Sequence, residues 1–179
     1  MFRRLVKANP DGRTVGLDLS PNMAAHTLRV ARKACPQAEA LCGAVDVRSL
    51  PFRSASFDAV MCCYLLELLS QEDIRLTLRE IRRVLRPGGN FSLVVIGQNL
   101  KMFNRMYTLG GNLVPAFWGR QVESSVPELI RQAGMRVVTD RFVRQGFYPS
   151  RVLVAENAAA QNIVAHGRSA HGQAARNGR

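Results

Sequence analysis

Three short apolar segments of this 179-residue chain end at or near an acidic side chain. Residues 13–19 reach Asp18, residues 40–47 reach Asp46, and residues 57–63 run into Tyr64 and Glu67. A carboxylate presents two acceptor oxygens in one plane, so an acid at the tip of a strand can take both hydroxyls of a ribose. Taken alone, Asp18 fits a turn aspartate before a helix equally well. Other chemistries are poorly represented. There is no serine–histidine–acid pattern and no motif-level nucleophile. Cys35, Cys42, Cys62 and Cys63 form no C-x-x-C pair and have no histidine at finger spacing, which argues against a metal site. The vicinal pair Cys62-Cys63 lies in an apolar run and reads as two reduced core thiols. His26 sits on a helix surface, and His166 and His171 read as solvated side chains near the end of the chain.

The elements that must position the acids alternate. Residues 13–19 read as a buried strand; Ser20 is a helix N-cap and Pro21 occupies the first helical position. Ala24, Leu28 and Ala31 then make one apolar face before Pro36 stops the helix. Residues 40–47 form a second strand, and Ser49-Leu50-Pro51-Phe52 turns the chain away. Residues 57–63 are almost continuously apolar, as in a parallel sheet covered on both faces. Ser70 opens the next helix with Asp73 as its acidic capping partner, and Ile74, Leu78, Ile81 and Leu85 line one face. Arg82, Arg83 and Arg86 suit its negative end, and Pro87-Gly88-Gly89 stop it. Residues 90–97 give a fourth strand. Residues 98–123 break the alternation with an insertion rich in aromatic and apolar side chains. A short helix from Ser125 to Gly134 and strands at 135–143 and 151–156 follow. So few residues separate those last two strands that they must pair antiparallel.

The pattern predicts an α/β class, doubly wound sheet whose ligands sit at the carboxyl ends of the strands. Composition narrows the partners. Lysine and arginine number 25 against 13 acids, a net charge of +12, yet the cations are scattered from Arg3 to Arg179. No lysine/arginine block marks a nucleic-acid arm, so no nucleic acid is expected; an acidic small substrate or peripheral contact with an anionic membrane is compatible with the charge. The longest apolar run, residues 59–66, is too short to span a bilayer, and the N-terminus has no secretory h-region, which makes the cytoplasm the expected location. With 47% apolar residues the chain is neither a fibre nor wholly disordered. Residues 157–179 are expected to form a disordered basic tail, leaving residues 1–156 as the domain.

In order and spacing, four segments resemble the class I S-adenosylmethionine-dependent methyltransferases, in the small-molecule branch that includes quinone-biosynthesis and phospholipid enzymes. They are Val15-Gly16-Leu17-Asp18-Leu19-Ser20-Pro21-Asn22-Met23, Asp46-Val47-Arg48-Ser49-Leu50-Pro51-Phe52, Phe57-Asp58-Ala59-Val60, and residues 78–89, which end in Arg86-Pro87-Gly88-Gly89. The resemblance implies a Rossmann-like methyltransferase sheet with a closing antiparallel strand pair, and S-adenosyl-L-methionine as cofactor. It assigns Asp18 to the ribose hydroxyls, Leu19 to the adenosine, Asp46 to the adenine amino group, the Val47 amide to the ring edge, and Cys63 to a place beneath the methionine part. Tyr64 and Glu67 would face the methyl acceptor, a small and hydrophobic molecule such as a lipid or quinone. The insertion around Phe103 to Trp118, with Lys101, Arg105 and Arg120, would build the acceptor pocket or merely cap the sheet. Methyl transfer from a sulfonium needs alignment more than catalytic side chains.

The resemblance also implies a first strand and a glycine-rich loop about 20 residues before Asp18, a position that counting back places ahead of Met1. Residues 2–7 resemble the end of the helix that follows that loop. The chain is therefore expected to be an N-terminally shortened methyltransferase whose own activity is in doubt. A nicotinamide-dependent oxidoreductase would share the Asp18 logic, but the turn at Pro87-Gly88-Gly89 and the closing antiparallel pair argue against it; a non-catalytic fragment that binds a partner is the other alternative. The coding sequence immediately upstream should contain, in frame, an apolar strand and a glycine-rich turn, and sequencing that finds neither removes the expectation.

Overall fold

Local capping decides where the helices begin. The computed structural model describes residues 1–96, 116–145 and 148–158. A short helix α1 (Phe2–Ala8) precedes strand β1 (Arg13–Asp18) and helix α2 (Pro21–Ala34). Ser20 caps α2 by accepting the amide of Met23, and Pro21 stands where its missing N–H costs nothing. Strand β2 (Glu39–Ala44) then lies parallel to β1 over its whole length. Val6, Ala31 and Ala40 form a small buried cluster beneath this first unit, with Phe2, Leu28 and Cys35 packed against it.

The second unit is larger. It holds strand β3 (Phe57–Cys63), a single 3-10 turn at Leu66–Leu68, helix α3 (Gln71–Val84), strand β4 (Leu85–Ile96), helix α4 (Ala116–Gln132), strand β5 (Met135–Gln145) and strand β6 (Tyr148–Asn157). Helix α3 carries the expected capping arrangement in full: the Ser70 hydroxyl accepts the Asp73 amide at 3.1 Å and donates to the Asp73 carboxylate at 2.7 Å. Ile74, Leu78 and Ile81 are buried on one face as the spacing requires. Leu85 is buried too, but in extended backbone, because the chain leaves the helix two residues before Pro87. The Pro-Gly-Gly turn belongs to the irregular start of β4. Gly88 there has φ of +77°, and a Cβ on Gly89 would lie 2.9 Å from the Arg86 carbonyl and 3.0 Å from that of Asp58, so both positions need glycine.

Sheet order within the second unit is β3-β4-β6-β5, with β3 and β4 parallel and the β4–β6 and β5–β6 pairs antiparallel, as the short connection requires. Along β4 the alternate residues Phe91, Leu93 and Val95 are fully buried against α3 and α4, together with Leu66, Val126, Ile130, Leu153 and Ala155. Their neighbours Ser92 and Val94 are only half-buried. Helix α4 begins at Ala116, well before Ser125, and carries Pro127 inside it, whereas the sequence pattern had marked only its last two turns.

A doubly wound α/β sheet without its first strand was the expectation, and the α/β architecture agrees with it. The described residues form two sheets, β1-β2 and β3-β4-β6-β5, and neither β1 nor β3 has a strand on its other edge. The consequence shows in burial, since no residue of β1 is fully buried and Met61 of β3 is exposed although both strands are apolar. No described helix is long and apolar enough to cross a membrane. Most of the insertion at 98–123, including Phe103, Lys101 and Arg105, and the basic tail with His166 and His171 lie outside the described residues, as do the side chains of Trp118 and Arg120.

At the far end of β6, Asn157 lies within the strand and is buried. Its amide nitrogen donates to the carbonyls of Arg82 at 3.3 Å, Leu85 at 2.9 Å and Arg86 at 3.2 Å, satisfying groups that the end of α3 leaves without helical partners. Asn157→Ala should lower the unfolding free energy by about 1–3 kcal/mol, the cost of leaving buried carbonyls unpaired. Urea titration checks this, and a loss under about 0.5 kcal/mol would place the stabilisation elsewhere.

Candidate functional site

The residues singled out from sequence lie at the carboxyl ends of the parallel strands. Asp18 closes β1, and the Asp18 carbonyl accepts the amide of Val45, which carries the β1–β2 pairing one step past the strand ends. One oxygen of the Asp18 carboxylate accepts the Ser20 amide at 2.8 Å, in the manner of an Asx turn. The other oxygen has no hydrogen-bond partner among the described residues. Asp18 therefore serves the turn before α2 and still has one free acceptor oxygen. Leu19, next to it, is 77% exposed, a large apolar side chain on the rim of the strand tip.

Asp46 and Val47 follow β2. The Asp46 carboxylate is fully engaged by a residue that sequence reasoning gave no role. Its Oδ1 accepts the Arg48 amide at 2.9 Å and Arg48 Nε at 3.0 Å; its Oδ2 accepts Arg48 Nη2 at 2.7 Å and Nε at 3.1 Å. These hydrogen bonds from Arg48 hold the Asp46 carboxyl at a pKa of about 2. Arg48 also donates through Nη1 to Asp73 at 3.0 Å, which ties the loop after β2 to the first turn of α3. The Asp73 carboxyl is lowered as well, first by the Ser70 hydroxyl and then by Arg48. An arginine two positions beyond an aspartate is visible in the sequence, but that it turns back rather than outward is not.

Further along the same loop, Glu80 and Arg83 of α3 hold the backbone. Glu80 accepts the Leu50 amide at 2.7 Å, and Arg83 donates to the Phe52 carbonyl at 2.7 Å and the Leu50 carbonyl at 2.9 Å. The two side chains pair with each other at 2.7 Å. The loop that carries Asp46 and Val47 is thus tied to α3 by one ion pair, Arg48–Asp73, and by hydrogen bonds of Glu80 and Arg83 with its backbone.

The third group sits past β3. Cys63 is half-buried and Cys62 buried; burial pushes the Cys62 thiol up to about 12 and raises that of Cys63, so both stay protonated as core thiols at neutral pH. Tyr64 has φ of +53°, a left-handed conformation that costs a non-glycine residue about 1–3 kcal/mol. Two bonds hold it there: its amide donates to the Val94 carbonyl at 2.9 Å, and its hydroxyl meets the hydroxyl of Ser150, which is completely buried, at 2.9 Å. Glu67 accepts the Ile96 amide through Oε1 at 2.7 Å, while its Oε2 is buried with no hydrogen-bond partner among the described residues. Ser150 lies 86 residues from Tyr64, and nothing local marks it. His26 shares a surface contact with Arg29 on α2, in keeping with a surface role.

A strained backbone and an orphaned carboxylate oxygen thus follow β3, and an exposed leucine follows β1. Among the described residues no cluster of histidine, cysteine and acid suits a metal.

Residues 1–89 match a family model described as a methyltransferase domain. No curated protein matches the chain in sequence. Among solved structures, the fold is similar to a protein of Methanosarcina mazei described as a SAM-dependent methyltransferase (17% identity, 86% of each chain, TM-score 0.68). It is similar to the magnesium protoporphyrin IX methyltransferase of Synechocystis PCC 6803 with bound SAH (17% identity, 87% of this chain and 67% of that one, TM-score 0.66). It is also similar to the geranyl diphosphate C-methyltransferase of Streptomyces coelicolor A3(2) in complex with Mg2+, geranyl diphosphate and S-adenosyl-L-homocysteine (12% identity, 86% of this chain and 66% of that one, TM-score 0.62). At these identities the likeness is one of fold.

The Glu80–Arg83 pair makes a pH prediction. Arg83 holds the Glu80 carboxyl below its ordinary range. A depressed carboxyl contributes stability that is complete above the unfolded value and lost as the pH falls through the folded one. Glu80→Gln should therefore cost about 1 kcal/mol at neutral pH, allowing for partial exposure, and nothing in strong acid. Denaturant unfolding of both proteins across that range checks it; a difference that persists in acid would assign the effect to packing.

Proposed function

From residues 1–89 matching the methyltransferase-domain family, on a fold shared with S-adenosylmethionine-dependent methyltransferases, we propose that the chain transfers a methyl group from S-adenosylmethionine to a small acceptor. Bound S-adenosylmethionine supplies an activated methyl on a sulfonium whose leaving group departs neutral. What the protein must add is binding and alignment, so the absence of a nucleophile motif is no objection.

The observation that carries this reading is the tip of β1. Asp18 has one oxygen held by the Ser20 amide and the other free, so the carboxylate is fixed in direction and still able to accept from a sugar hydroxyl. Leu19 beside it is exposed in a way that packing against an apolar ring would remedy. Val47 follows at the end of β2 to meet the ring edge, with Asp46 at the amino group once Arg48 yields an acceptor position. Cys63 ends β3 where the methionine part would pass. Residues 1–156 would be the methyltransferase domain, with the stretch after them a basic tail.

For the acceptor, Tyr64 and Glu67 are the residues at hand. Tyr64 keeps a strained backbone with its hydroxyl on Ser150, and the buried Oε2 of Glu67 needs a donor, which an acceptor hydroxyl or amine would provide. A hydrophobic acceptor drawn from lipid or quinone chemistry, met at an anionic membrane surface, fits the excess of 12 positive charges. The cytoplasm is the proposed location.

Isothermal titration with S-adenosylhomocysteine tests the cofactor assignment. Asp18→Asn should weaken binding by about tenfold or more, because a hydrogen bond to a charged acceptor is worth about 1.5–3 kcal/mol. Unchanged affinity in the variant would remove Asp18 from the site, and selective binding of a nicotinamide dinucleotide instead would move the protein to the oxidoreductases.

A further inference from the structure

We propose that Arg48 is a positioning residue that competes with the adenine amino group for Asp46, so that the adenine end of the site opens when the guanidinium swings away. The inference rests on the cofactor reading above and adds to it a control that the family resemblance does not contain.

A carboxylate has about four acceptor positions. Asp46 receives contacts on both sides of each oxygen, all from three N–H groups of Arg48: the backbone amide on Oδ1, Nη2 on Oδ2, and Nε shared between the two. An amino group arriving at that carboxylate must therefore displace at least one of these bonds. The backbone amide of Arg48 is fixed by the turn, so the guanidinium is what gives way. Its remaining nitrogen is held from the opposite side by Asp73, whose second oxygen is occupied by the Ser70 hydroxyl. Arg48 thus spans the loop after β2 and the first turn of α3, and it has anchors at both ends.

Exposure makes this a latch that can open. The Arg48 side chain is 47% exposed, so a displaced guanidinium moves into water rather than into a core. Exposed ion pairs are weak, so the competition is modest and reversible. Arginine is suited to the role because its fork reaches both carboxylates at once, which a lysine ammonium cannot do in the same geometry.

Titration of the whole protein with S-adenosylhomocysteine tests the latch. Arg48→Ala should bind about threefold to tenfold more tightly than the native protein, as expected when a competing surface ion pair is removed. Asp73→Asn, which frees one anchor only, should shift affinity the same way by less. The second probe is S-inosylhomocysteine, which carries an exocyclic carbonyl oxygen where adenine has its amino group. Arg48→Ala should bring no gain in its affinity, because a carbonyl oxygen has no proton to give Asp46, a contrast that simple loosening of the loop would not produce. If the native protein binds S-adenosylhomocysteine and Arg48→Ala binds it equally or less well, the latch is overturned while the cofactor reading stands. A gain of equal size for both ligands also overturns the latch. If neither protein binds either probe, the cofactor reading falls and the latch falls with it.

Discussion

Backbone groups in a sheet need partners on both edges, and that requirement divides this molecule into a well-supported part and a thin one. Strand β4 has neighbours on both sides, β3 and β6, and it is the strand whose Phe91, Leu93 and Val95 are fully buried. Helices α3 and α4 can pack there because the strand beneath them is fixed in register. Among the described residues strand β1 pairs with β2 alone, and none of its residues is fully buried.

The site spans that difference. Asp18 and Leu19 stand on the thin unit, Tyr64 and Glu67 on the well-supported one, and Asp46 on a loop fastened to α3 by Arg48, Glu80 and Arg83. These contacts fasten the loop after β2 to α3. They are partly exposed and individually weak, but there are several, and each acts on the same stretch of backbone.

Much of the fold was legible because its signals are local. Ser20-Pro21 and Ser70 with Asp73 announce helix starts through bonds closed within three residues. The short link between β5 and β6 dictates their antiparallel pairing. Gly88 and Gly89 mark a turn that other residues cannot make. Less legible was α4, since Pro127 reads as a helix start although here it lies inside a longer helix. The exit from α3 at Leu85 was masked by the same apolar spacing that makes Leu85 a core residue in extended backbone.

By itself, the sequence determined which segments are strands and helices and where acids stand relative to strand ends, which is what singles out Asp18 as a candidate. Tertiary structure decided what each carboxylate is free to do. Among the described residues, Asp18 keeps an open oxygen, both oxygens of Asp46 are engaged, and Glu67 buries one without a donor. The reason is physical: strand and helix propensities are set by neighbours within a few residues, but the vacancy of an acceptor depends on which side chain folds back onto it. For Tyr64 that partner is a serine on another strand, and for Arg48 it is a helix cap 25 residues away.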